Sequence, residues 1–133
     1  MADNVFRTME ISASGLRAEW VRMQVVANNV ANAETTKTPE GGPYRPQQVV
    51  FSTLMDGLNG VTVAGIVPSS KPPRMVHNPT HPDANAEGYV AMPDVQVPLE
   101  MIDLLTASRA YEANLAAMRK FKMICEEALK LLR

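Results

Sequence analysis

The chain has 133 residues, with 13 basic and 14 acidic side chains and a formal net charge of −1. That balance argues against a module built to grip nucleic-acid phosphates or an anionic membrane, since either task needs a concentrated basic surface. A single cysteine excludes an internal disulfide, and a hydrophobic fraction of 46% with only 5% aromatic residues allows a core but not a large aromatic one.

The first predicted element is a long helix from about Val5 to Ala33. Phe6, Met9, Ala13, Leu16, Trp20, Met23, Ala27 and Val30 recur at alternating spacings of three and four, which draws an apolar stripe along one side of a helix. Asp3 or Asn4 can cap its start. Ser12, Ala13, Ser14 and Gly15 form a patch of small residues inside it, open to two readings: close approach of another helix, or a tolerated bend. Asn28, Asn29 and Asn32 are mediocre helix formers with amides to satisfy, so they are expected to hydrogen-bond between helices or between subunits. The opening Met1-Ala2-Asp3-Asn4 lacks the basic and apolar regions of a secretory signal, so none is expected.

The helix should fail after Asn32, where Thr35, Thr36 and Thr38 are β-branched and Pro39 follows. From there to Val97 the texture changes. Nine of the ten prolines fall in this stretch, and short β-like runs appear at Gln48–Phe51, Val61–Val67 and Gly88–Ala91. Turn signals at Asp56-Gly57 and Asn59-Gly60 separate the first two. The middle reads as a small, loop-rich β unit.

A second long helix is predicted from Pro98 or Leu99 to the end, with Pro98 suited to a first turn and Glu100 and Asp103 complementing the helix dipole. Its stripe runs through Met101, Leu104, Tyr111, Leu115, Met118, Cys125, Leu129 and Leu132, interrupted at Ser108 and Lys122. Phe121, Ile124, Cys125, Ala128, Leu129, Leu131 and Leu132 make an apolar face wider than one partner helix covers. The expected fold is therefore α+β: residues 1–34 and 98–133 as long terminal helices pairing as a coiled coil, and residues 35–97 as the β middle.

Chemistry is hard to find. His77 and His81 have the H-x3-H spacing of a zinc pair, but Pro79 lies between them and Pro82 follows, so they cannot share a helix face. There is no nucleophile-elbow pattern and no phosphate loop. Neither catalysis nor a cofactor or metal is expected, and Cys125 reads as a small packed hydrophobe.

Two motifs carry a resemblance. Ser14-Gly15-Leu16-Arg17-Ala18 followed by Ala27-Asn28-Asn29-Val30-Ala31-Asn32-Ala33-Glu34-Thr35-Thr36 resembles the N-terminal motif of bacterial flagellar axial proteins, the rod and hook family. Glu100-Met101-Ile102-Asp103-Leu104-Leu105 with Ser108-Arg109-Ala110-Tyr111-Glu112-Ala113-Asn114 resembles that family's C-terminal motif. Segments Thr38–Arg45 and Asn78–Val90 are similar to the proximal rod members, as is the short length. The resemblance implies a subunit exported by the flagellar type III apparatus without a cleaved signal and assembled in the periplasm into the rod that carries torque to the hook. It also implies terminal helices packed with those of neighbours as an inner coiled-coil layer, under an outer β layer. The implied partners are further copies, other proximal and distal rod proteins, and the adaptor to the membrane ring. Stripes and motifs together give the expected assembly interface: Met9, Leu16, Trp20, Met23, Asn28, Asn29, Val30 and Asn32 on the first helix. On the second it comprises Met101, Leu104, Leu105, Arg109, Tyr111, Asn114, Leu115, Met118, Phe121, Ile124, Leu129 and Leu132. Competing readings are a cytoplasmic helical-hairpin adaptor or export chaperone, which needs no β middle, and a small enzyme using His77, His81 and Asp83.

Overall fold

A computed structural model describes residues 2–54 and 60–131. The predicted turn at Asp56-Gly57, Asn59, and the stripe residue Leu132 lie outside the described residues. In chain order two long helices flank two small antiparallel hairpins: α1 (Ala2–Ala31), β1 (Gln47–Thr53), β2 (Val61–Pro68), β3 (Arg74–His77), β4 (Tyr89–Met92) and α2 (Val97–Leu131). The class is α+β.

α1 stops where the sequence becomes rich in Asn and Thr. The Ala33 N–H donates to the Val30 carbonyl at 3.2 Å and the Thr35 N–H to the Asn32 carbonyl at 3.1 Å, so the turn's own backbone satisfies groups the ending helix leaves open; Asn32 Nδ2 adds a bond to the Asn28 carbonyl at 2.9 Å and its Oδ1 accepts the Thr35 hydroxyl at 3.2 Å. The turn that follows needs Gly41 and Gly42, which adopt φ of 89° and 79°, a left-handed pair that side chains with a Cβ disfavour. Thr38 closes it by donating its N–H to the Gly42 carbonyl at 2.9 Å.

β1 and β2 pair from Gln47↔Pro68 to Thr53↔Val61, with a register shift after Val50 that leaves Ala64 without a partner. β3 and β4 pair from Arg74↔Met92 to His77↔Tyr89. β3 is an element the sequence reading did not anticipate; it is four residues long, opens on a charge and follows Pro72-Pro73, so it has no β-like run to reveal it. α2 begins at Val97, a residue earlier than the spacing suggested, and Pro98 sits in its first turn where a missing N–H costs nothing.

α1 and α2 pack antiparallel. Gly15 lies against Asn114, Arg22 pairs with Asp103, and Asn29 reaches Glu100. On α2 the covered side runs through Leu104, Ala107, Tyr111, Asn114, Met118, Phe121 and Cys125, an unbroken alternation of three and four. Ala107, fully buried, takes the place expected of Ser108, and Phe121 that of Lys122, so the two interruptions vanish when the stripe shifts by one residue. On α1 the buried residues are Ser14, Ala18, Val25, Val26 and Asn29, whereas Phe6, Trp20 and Ala27 of the predicted stripe are exposed. The physical reason is that α1 serves two partners. It packs on α2 and also on β1 and β2, and the small Ser14 lets the hairpin come close. The rest of the buried core, Val90, Pro93 and Val95, lies on β4 and its connection to α2.

Candidate assembly surface

Asn29 is the centre of the internal framework. It is 3% exposed, and its side chain makes four hydrogen bonds. Oδ1 accepts the Gln47 N–H at 2.8 Å and the Tyr44 hydroxyl at 3.0 Å; Nδ2 donates to the Gln47 carbonyl at 2.9 Å and to Glu100 Oε2 at 3.2 Å. Two lone pairs and two N–H groups are thereby all used. Because both backbone groups of Gln47 point away from β2, the asparagine amide pairs with them as the next strand of a sheet would. Burial, followed by the Glu100 charge, raises the Tyr44 phenol above its usual range, which keeps its proton on the hydroxyl that donates to Asn29.

Ser14 anchors the other end of the same hairpin. Its Oγ accepts the Val61 N–H at 3.1 Å and donates to the Ile11 carbonyl at 2.7 Å. Gly60, with φ of 107°, precedes Val61, and a Cβ there would stand 2.2 Å from the Ser14 oxygen. Gly15 answers the question its patch posed: a Cβ would stand 2.9 Å from Asn114 Nδ2, so the glycine serves close approach of α2, within the chain. Arg22 holds Asp103 across the helix pair and lies 3.6 Å from Glu19 on its own helix.

Around this framework lie the other expected interface residues. Met9, Leu16, Met23 and Val30 on α1, and Leu104, Tyr111, Asn114, Leu115, Met118 and Phe121 on α2, are half-buried between the helices or at their margins. Asn28 is exposed and Asn32 is half-buried in the cap, so of the three asparagines only Asn29 joins different elements. Trp20 is 54% exposed and stands between two apolar grooves, one walled by Leu16, Val21 and Tyr111, the other by Val25, Ala31 and Ile66. Met101, Leu105, Arg109, Ile124 and Leu129 face outward on α2 beside Leu99, Ile102 and Met123. Reasoning from sequence missed Tyr44, Arg22 and Gly60, whose partners lie far along the chain. It also missed the Thr36 hydroxyl donating to Asp83 at 2.8 Å, which ties the end of α1 to the β3–β4 loop. In that loop His81 accepts the Asp83 N–H on Nδ1, while His77 packs edge-on against Tyr89.

Comparison with known proteins places this geometry. Residues 9–37 match the family described as flagella basal body rod protein, and residues 86–131 match the flagellar basal body rod FlgEFG protein C-terminal family. The chain is 39% identical to the flagellar basal-body rod protein FlgC of Salmonella typhimurium over 96% of both chains. It is 39% identical to FlgC of Bacillus subtilis over 95% of this chain and 97% of that one. With FlgC of Borreliella burgdorferi the identity is 35% over 97% and 98%. The two family matches fall on α1 with its cap and on β4 with α2, so they include both helices that Asn29 and Arg22 join, and the relatives align across nearly their full length; the chain belongs to the FlgC family of flagellar basal-body rod proteins.

Proposed function

We propose that the chain is a structural subunit of the proximal rod of the bacterial flagellar basal body. It polymerises through its terminal helices into the shaft that passes motor torque to the hook. The observation that carries this beyond kinship is the uncovered apolar surface of the helix pair. Trp20, Met101, Ile102, Leu105, Ile124 and Leu129 are each more than half exposed, on helices that already have a partner on their other side. So much exposed apolar surface stabilises a protein only when other chains cover it. The same surplus supports reading the helices as strands of a larger coiled coil built from several subunits, with copies of this chain and other rod proteins, proximal and distal, as neighbours and the adaptor to the membrane ring below. No helix among the described residues is long and apolar enough to cross a membrane. This is compatible with export through the flagellar type III apparatus and assembly in the periplasm.

The test is biochemical. Detergent-extracted basal bodies should contain the chain at a level comparable with other rod proteins, and deleting its gene should leave basal bodies without a rod. A chain that stays wholly cytoplasmic, with rods intact in its absence, refutes the proposal and favours an adaptor or export chaperone.

A further inference from the structure

The outer edge of β1 borders a cleft that no described residue fills. In the β1–β2 ladder, Ser69 donates to the Pro46 carbonyl and Leu54 to the Gly60 carbonyl. With the register, this fixes the even-numbered residues of β1 as those bonded to β2 and turns the backbone groups of Gln47, Val49 and Phe51 outward. Asn29 occupies the groups of Gln47. Val49 and Phe51 instead line a cleft of about 460 Å³ whose opposite wall includes Val26, Arg22, Asp103 and Glu100. Open strand edges of this kind take up an added strand.

The cleft also has a charge preference. Arg22 is engaged by Asp103 and Glu19. Among the described residues Glu100 forms no ion pair; Lys71 lines the adjoining recess without reaching it. The wall thus carries two carboxylates against one guanidinium, and the Glu100 charge is felt at Tyr44. An extended basic segment within the chain, Ser69–Arg74, is unsuited to the edge because Pro72 and Pro73 lack the N–H a strand pair needs.

We propose that the β1 edge at Val49 and Phe51 is a strand-addition site for an extended segment of a partner protein that carries a Lys or Arg toward Glu100. Asn29 closes one end of the site by acting as the strand residue there. The proposal goes beyond the rod assignment and does not depend on it.

The experiment uses the full chain and a capped peptide of alternating valine and lysine at millimolar concentration, read by amide exchange in NMR. The Val49 and Phe51 amides should slow by about tenfold, while Val63 and Ile66 on the opposite edge stay unchanged. A peptide with glutamate in place of lysine should give no slowing, and Glu100→Gln should weaken the lysine peptide severalfold. Val49→Pro removes an outward N–H without breaking the bond pattern to β2, so it should abolish binding while the Gln48 and Val50 amides keep their protection. Equal binding of both peptides, protection on β2 alone, or no protection at Val49 and Phe51 would each overturn the proposal. None of these results bears on whether the chain is found in basal bodies.

Discussion

The buried amide of Asn29 does what no apolar residue could: it holds a helix, a strand edge, a tyrosine and the first turn of α2 at one point. Asn29→Ala strands the Gln47 N–H and carbonyl and should cost about 2–3 kcal/mol, because buried groups without partners lose their desolvation energy in full; a urea titration measures it. Asn29→Asp should be at least as harmful at neutral pH, since a carboxylate accepts from Tyr44 and Gln47 but cannot donate to the Gln47 carbonyl and stands beside Glu100. Its stability should recover as acid returns a proton to the new carboxyl, which Asn29→Ala cannot do. The Tyr44 phenol gives a separate handle. Its folded-state pKa lies above the ordinary value of 10.0, so the folded chain holds the proton longer than the unfolded one. That contribution is complete below the ordinary phenol range and is lost as pH rises through the raised value. Urea midpoints taken from about pH 9 upward should therefore fall, and the Tyr44-dependent part of that fall should be absent in Tyr44→Phe. Sequence alone flagged Asn29 as a polar residue in need of partners. It could not identify them, because Gln47 and Glu100 stand 18 and 71 positions away and only the hairpin's placement brings them together.

At the scale of elements, the hairpin and α1 are fitted to each other in length. Ser14 and Asn29 are fifteen residues apart, about 22 Å along a helix, and the seven residues of β1 span a similar distance. One clamp at each end therefore fixes the hairpin on the helix without stretching either. Gly60→Ala tests the Ser14 clamp. The substitution puts a methyl group on the Ser14 oxygen and forces a left-handed backbone on alanine, so a loss of roughly 1–3 kcal/mol is expected by thermal or urea unfolding. Ser14→Ala should lose less, about 1 kcal/mol, since it leaves the Val61 N–H short of a partner at an edge that water can reach. If Gly60→Ala proves neutral, the hairpin is not clamped at that end. The helices were legible from their spacing, down to their approximate ends, because a repeat of three and four survives over thirty residues. Their phase was not. Trp20 looks like a core residue in sequence, yet it lies outside because α1 turns Ser14, Ala18 and Val25 toward its two partners. Small and polar residues at a close contact leave no hydrophobic trace for periodicity to detect.

Over the whole molecule, support for the two helices is uneven, and this has a consequence for how the subunit is built into a larger structure. From Ser14 to Asn29, α1 is backed by α2 on one side and by the clamped hairpin on the other. The stretch of α2 opposite it begins at Glu100 and ends near Asn114, where Gly15 lets the helices touch. Beyond these limits, among the described residues, each helix has little more than the other behind it. There Phe6 is 67% exposed on α1, and Met123, Ile124, Leu129 and Leu131 are 59–88% exposed on α2. Ordering backbone costs about 1–2 kcal/mol per residue, and so little burial offsets it poorly. Amide exchange on the free chain should therefore show a step rather than a plateau. Protection should be strongest at residues 15–29 and 103–114 and weaker by at least about tenfold at residues 6–12 and 119–131, where local opening costs least. In isolated basal bodies the step should disappear, because neighbouring subunits cover the apolar side chains and supply the missing burial. A charge inside the seam separates the two contributions. Met118→Asp, on the covered side of α2 just beyond the supported region, should leave the protection of residues 15–29 in place yet prevent incorporation into the rod, since an unpaired charge cannot be buried between the paired helices. Uniform protection along both helices in the free chain would show that the pair is self-sufficient. The exposed apolar face would then be needed for adhesion between finished subunits, and not for completing the fold of each one.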